Sequence, residues 1–229
     1  MRLSHLLSAT MLALPLLAGG AHANLLTNGS FESNWVLPNT KGLFSLSGVS
    51  GWSGGGFYNF IAAPGTADNG SGFSVYGPFP STSPDGGDFV MADGDPSLAS
   101  AISQTVSGLV VGRAYTLSFY QAAGQQAGFT GPTTERWAVS FGGQTQYSSL
   151  YSLPQGGVGP WMAQSMTFVA TSGTQVLSFL ASGTPNGAPP VSFLDGVDLE
   201  VAVPEPASFA LLGVGLLGLG VYYRRRRTG

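Results

Sequence analysis

Cysteine is absent from the 229 residues. That removes disulfides, thiol nucleophiles and cysteine-based zinc sites from consideration. Histidine is nearly absent. The only two, His5 and His22, fall within the first 23 residues, so the rest of the chain has no imidazole for a Ser-His-Asp relay, for metal ligation or for general-base catalysis. Charge is scarce as well: 8% of residues are Asp, Glu, Lys or Arg, where soluble domains run near about 25%. Four of the eight basic residues are Arg224, Arg225, Arg226 and Arg227, and Arg2 is a fifth. Residues 24–203 keep Lys41, Arg113 and Arg136 against ten acids, which leaves that stretch at −7. Affinity for phosphate backbones comes from clustered Lys and Arg, so no nucleic-acid partner is expected. No fixed-period repeat is present, which argues against a solenoid or propeller.

The ends read as address labels. Arg2, an apolar stretch over residues 6–17, Gly19 and Gly20, and then Ala21-His22-Ala23 have the three-part layout of a signal peptide. Signal peptidase is expected to cut between Ala23 and Asn24, removing residues 1–23. At the other end, residues 207–223 form an uncharged apolar run of 17 residues. As a helix it reaches about 25 Å, the short limit for crossing a bilayer. The four arginines follow at once and belong on the cytoplasmic side, which places residues 24–202 outside. Before the run, Val203-Pro204-Glu205-Pro206 carries two prolines that hold the backbone extended, a form that a processing enzyme can thread into its cleft.

Between the ends the hydrophobic period is two. Tyr115, Leu117 and Phe119 alternate with polar neighbours, as do Trp137, Val139 and Phe141. Met166 and Phe168 stand two apart, as do Leu177 and Phe179, and Val191, Phe193, Val197, Leu199 and Val201 are read as one phase. This is the pattern of half-buried strands. Gly142-Gly143, Pro154-Gln155-Gly156-Gly157, Ser172-Gly173 and Asn186-Gly187 supply turns between them. The expected fold is all-β, an antiparallel β-sandwich over residues 24–202, with a signal peptide before it and one C-terminal transmembrane helix after it. Residues 34–87 and 124–134 are expected to hold long loops.

Two resemblances add to this reading. Pro204-Glu205-Pro206, the glycine-rich apolar run and the arginine cluster, over residues 203–229, resemble the PEP-CTERM sorting signal, also catalogued as the ice-binding protein C-terminal domain. The resemblance implies an exosortase as partner, cleavage near Pro204-Glu205-Pro206, transient anchoring in the inner membrane, and delivery to the cell surface or medium. It also implies a Gram-negative producer of extracellular polysaccharide. Asn28-Gly29-Ser30-Phe31-Glu32, Gly51-Trp52 and Phe193-Leu194-Asp195-Gly196-Val197-Asp198-Leu199 resemble the opening and closing strands of galactose-binding-like jelly rolls, many of which are carbohydrate-binding modules. By that resemblance Glu32 and Asp195 are the ligands of a structural calcium, the one cofactor expected.

Asp195 stands out on its own, because a carboxylate in the apolar phase of a strand needs a cation or several donors; the alternative is that Gly196 bulges the strand and Asp195 caps a loop. Asp85, Asp88, Asp93 and Asp95 lack the order of an EF-hand loop and read as solvated turn residues. Trp35, Trp52, Phe57, Tyr58, Tyr76, Tyr120 and Tyr147 are candidates for an aromatic surface facing sugar rings, with Trp52, Tyr58 and Tyr76 chosen as the ligand contacts. Trp137 and Trp161 fit strand packing. Gly51-Trp52-Ser53-Gly54-Gly55 has the form of a nucleophile elbow but no histidine to serve it. The reading is a non-catalytic surface protein associated with exopolysaccharide or biofilm matrix and binding glycan. One alternative is a structural, self-associating matrix protein. The other is a hydrolase working through two carboxylates, with Glu32 and Glu135 as the pair. No regular Thr-x-Thr array stands in the sequence to support ice binding.

Overall fold

The computed structural model describes residues 24–69 and 72–202. The expected signal peptide with Ala23, the apolar helix, Val203, Pro204, Glu205, Pro206 and the four arginines lie outside those residues. Every regular element among the described residues is a strand, and every pairing is antiparallel. In chain order these are β1 (Lys41–Leu43), β2 (Ser53–Gly54), β3 (Asn59–Ala62), β4 (Phe89–Asp93), β5 (Ile102–Ser107) and β6 (Ala114–Gln125). They are followed by β7 (Thr133–Phe141), β8 (Gln144–Tyr147), β9 (Tyr151–Leu153), β10 (Val158–Val169), β11 (Thr174–Thr184) and β12 (Pro190–Val201). One sheet runs β1-β3-β4-β12-β6-β10; the other runs β2-β5-β11-β7-β8, with β9 also paired to β7. The protein is therefore a two-sheet sandwich, as the period-two runs foretell.

The core lies between the sheets. Leu117 and Phe119 of β6, Met166 and Phe168 of β10, and Val90 and Ala92 of β4 meet Trp137, Val139 and Phe141 of β7 and Leu177 and Phe179 of β11. Each Val, Leu, Phe or Met side chain among them contributes about 1.5–3 kcal/mol by leaving water. Trp137 also donates its Nε1–H to the Phe193 carbonyl at 2.9 Å, so its one polar atom is satisfied inside. The first sheet is covered on its other face too. Phe89, Met91, Val191 and Phe193 turn outward there and pack beneath Ala67, Val75 and Phe79. All five residues of β4 are consequently buried.

Three expectations are corrected. The first concerns residues 34–87, which contain β1, β2 and β3 rather than loops alone. These strands are two to four residues long, too short to leave a period in the sequence. Second, the loop expected over 124–134 is shorter, because β6 continues to Gln125 and β7 begins at Thr133. Third, Val191 and Phe193 do not share a face with Val197 and Leu199. The pairing with β6 slips between Asp195 and Asp198, so that Gly196 and Val197 together oppose Phe119. Gly196 has φ +56°, in the left-handed region that glycine adopts at such a bulge. The inserted residue moves Val197 and Leu199 into the inter-sheet core, while Phe193 packs on the opposite face.

The Gly142-Gly143 turn is as expected. Both residues have positive φ, +57° and +83°, and join β7 to β8 in a two-residue hairpin of the type that matches strand twist. The segment starting at Asn24 docks at the C-terminal end of β12. The Asn24 Oδ1 accepts from Leu26 N at 2.9 Å and from Leu199 N at 3.1 Å, and Leu25 N donates to the Leu199 carbonyl at 2.9 Å.

Candidate functional site

The bulge at Gly196 gathers acids. Asp195 is 0% exposed. Its Oδ2 accepts from the Ser83 hydroxyl and its Oδ1 accepts from the Gly196 N–H at 2.8 Å. Ser83 Oγ in turn accepts from the N–H groups of Asp85 and Gly86, each at 3.1 Å. Glu32 closes the other side, taking the Asp88 N–H on Oε1 at 2.7 Å. Gly87 has φ +61°, and a Cβ there would lie 1.9 Å from that same Oε1, so the approach requires glycine. Burial pushes the Asp195 carboxyl up to about 8 against two lowering hydrogen bonds, and the Asp85 and Glu32 charges push it further the same way. Glu32 is raised as well, first by burial. The sequence suggested a partner for Asp195, and the structure supplies one hydroxyl, one N–H and two negative neighbours.

The donors present fit a hard oxygen-seeking cation, since a fully buried carboxylate beside other carboxylates has only two hydrogen-bond donors for its two oxygens. Among the described residues no three carboxylates converge as a ready metal cluster. A calcium held by Glu32 and Asp195 would therefore complete its shell from carbonyls and water.

The three aromatic residues chosen from sequence are not brought together. Trp52 is a core residue, 8% exposed, with Nε1 donating to the Asn28 carbonyl at 2.9 Å and its ring 5.1 Å from that of Phe31. It offers no face to a ligand. Tyr76 is half-buried, donates its hydroxyl to the Phe129 carbonyl at 2.8 Å and lies against Gly156. It fastens two loops. Tyr58 keeps 37% of its surface exposed and stands edge-on to Phe73, which stacks on Phe60 at 4.8 Å. Beside it, Asp93 donates its N–H to the Tyr58 carbonyl at 3.0 Å. Asp93 and Asp95, expected as solvated turn residues, are instead buried; Asp93 ends β4 with its Oδ2 unpartnered, and burial raises its carboxyl to about 6. Among the described residues Trp35 and Phe57 are the most exposed aromatics.

Glu135 and Glu32, the carboxylates considered as a hydrolytic pair, occupy different environments. Glu135 points inward from β7, is 1% exposed, and neither carboxylate oxygen has a hydrogen-bond partner. A substrate has no access to it there. Ser53, in the elbow-like sequence, has its hydroxyl against that of Ser103 at 3.3 Å.

The outer face of the second sheet is the surface that sequence reasoning missed. The registers place Ser53, Ser103, Ser178, Ser140 and Thr145 directly across from one another on β2, β5, β11, β7 and β8. This forms one row of hydroxyls about 19 Å wide at a strand spacing of ~4.8 Å. Ser140 and Thr145 are 2.8 Å apart, and Thr134 and Thr184 pair at 2.7 Å further along. Parallel to the row lie Leu180 and Ala138, and at its edge Tyr147 with the Arg136 guanidinium 4.1 Å from its ring centroid. The sequence signals for this face were Tyr147, one of the aromatic candidates, and the polar half of each alternation, which a lone strand shows as ordinary solvent-facing residues. The row itself exists only once the strand order is known.

Comparison with known proteins finds a match for the tail and likenesses to solved structures. The PEP-CTERM protein-sorting motif matches residues 202–227. Its match covers Pro204-Glu205-Pro206 and the arginines and implies processing by an exosortase. No curated protein matches the chain. Solved structures that resemble it include TmCBM61 in complex with beta-1,4-galactotriose, at 19% identity and TM-score 0.47, covering 79% of this chain and 99% of that one. The CBM22-1 xylan-binding domain of Paenibacillus barcinonensis Xyn10C is similar at 15% identity and TM-score 0.39, with 72% and 95% covered. The K1 cleaved adhesin domain of Lys-gingipain from Porphyromonas gingivalis is similar at 12% identity and TM-score 0.40, with 72% and 98% covered.

Proposed function

We propose that this is an exported, non-catalytic glycan-binding sandwich. In this reading signal peptidase and an exosortase process it, the inner membrane anchors it transiently, and it works on the cell surface or in the surrounding polysaccharide. One observation carries the binding assignment: the outer face of the second sheet is broad and lined by a continuous row of hydroxyls, with an aromatic–guanidinium pair at its edge. Hydroxyls both donate and accept, and so match the hydroxyls of a sugar chain. Tyr147, with Arg136 beside it, supplies an apolar ring face for the C–H side of a pyranose. The low basic content supports a neutral ligand over a polyanion.

Calcium at Glu32 and Asp195 is part of the same proposal, in a structural role. It would neutralise the buried acids and tie the segment beginning at Asn24 to the bulge of β12.

Affinity electrophoresis through gels cast with a panel of polysaccharides, the producer's own included, tests the binding assignment. The wild-type chain is expected to be retarded in at least one gel. Arg136→Ala with Tyr147→Ala should weaken that retention by about tenfold, while Tyr58→Ala leaves it intact. No retardation on any polysaccharide sinks the glycan reading. Retention unchanged in the double variant moves the site off this face.

A further inference from the structure

The first sheet ends on β10 and the second on β8, which leaves a seam along one side of the sandwich. β10 is twelve residues long and, among the described residues, pairs with β6 alone. Its outer edge therefore carries main-chain N–H and C=O groups that a further strand can use. Proteins usually blunt such an edge with lysine, other charges or proline. β10 contains no charged residue, and its one proline, Pro160, stands near its start.

Three glutamines occupy that edge instead. Gln144 and Gln146 stand opposite Phe141 and Val139, in the inward phase of β8 where apolar residues belong. Their side chains cross the seam. Gln144 donates from Nε2 to the Val169 carbonyl at 2.6 Å and accepts from the Val169 N–H on Oε1 at 3.4 Å. Gln146 donates to the Thr167 carbonyl at 2.7 Å. From the other side Gln164 of β10 accepts from Ser149 N at 2.9 Å and turns its Nε2 onto the Ala163 carbonyl at 2.9 Å. A carboxamide presents the same donor and acceptor as a peptide group. It completes the ladder as a strand would but offers nothing beyond itself for a next strand.

We propose that Gln144, Gln146 and Gln164 are edge guards, holding the outer edge of β10 closed against pairing with a second copy of this chain. A second copy is the fitting partner because the strand is uncharged: two β10 edges set antiparallel about a two-fold axis face each other without like-charge repulsion. Pairing would join two six-stranded sheets into one.

Sedimentation velocity over a concentration series, on the full chain in detergent, tests this. The wild-type chain is expected to stay monomeric. Gln144→Ala with Gln146→Ala should tighten self-association by about tenfold or more, with near-ultraviolet circular dichroism unchanged. Adding Thr167→Pro to that double variant should restore the monomer. The Thr167 carbonyl faces the seam, so its N–H does too, and proline there blocks a new ladder without breaking the one to β6. A folded double variant that remains monomeric overturns the proposal, as does association that survives the proline. Should the double variant fail to fold, Gln144→Ala and Gln146→Ala singly are read the same way, and the proposal falls if neither associates more than wild type.

Discussion

Replacing Glu135 by glutamine should change how stability depends on pH, by an amount that follows from its surroundings. The side chain sits between Thr133 and Trp137 on the inward phase of β7, with neither oxygen partnered. Burial raises its carboxyl from 4.5 to about 7. In the unfolded chain the group ionises near its ordinary value, whereas in the folded chain it keeps its proton up to about 7. The folded state thus binds the proton more tightly. Stability from this residue is fullest below about 4.5, declines as pH rises to about 7, and is flat above. At 1.36 kcal/mol per unit the decline is about 3 kcal/mol. Glutamine has no proton to lose. Glu135→Gln should therefore match wild type near pH 4 and exceed it by up to about 3 kcal/mol at pH 8. Urea unfolding followed by tryptophan fluorescence at several pH values measures this. Asp93 and Asp195, raised in the same direction, remain in both proteins, so the difference between the two curves isolates Glu135. Parallel curves for wild type and variant would show that the carboxyl is not held protonated inside the sandwich.

Two other outcomes are expected. Calcium at about a hundred times its dissociation constant should add about 2.7 kcal/mol and raise the melting temperature by about 5–10 °C. Asp195→Asn should abolish that response, and an equal calcium shift in the variant would place the ion elsewhere. Gly196→Ala should cost about 1–2 kcal/mol from the left-handed backbone alone, because φ is +56° and the new Cβ would also meet Asp85 and Tyr120 at 3.0 Å. Thermal unfolding with no loss would mean the bulge relaxes freely.

Much of the sandwich was legible in local pattern. The runs at residues 115–119 and 137–141 are strands because alternate residues face a core, and the Gly142-Gly143 pair is a turn because both positions need positive φ. Asp195 was legible as a misfit, and its burial and acidic company account for that. What stayed hidden depends on distant pairing. Gly196 offered a bulge from sequence, but the change of face it imposes on Val197 and Leu199 is fixed only when β6 is laid beside it. Trp52, a conspicuous candidate for a ligand face, is claimed by Phe31 and Phe179 from elsewhere in the chain. The hydroxyl row on the second sheet collects one residue from each of five strands, and no window of sequence contains two neighbours of that row except across the β7–β8 hairpin.

The way Asn24 clasps the end of β12 means that the two ends of the sandwich emerge side by side, with Val201 leading directly toward the sorting motif. A pull along β12 from its C-terminal end would act on a strand braced by β4 on one flank and by β6 along nearly its whole run. Such a load shears many rungs at once instead of peeling them one after another. A load taken by an inner strand spreads to neighbours on both flanks, and the hydroxyl row of the second sheet stays open to whatever lies outside.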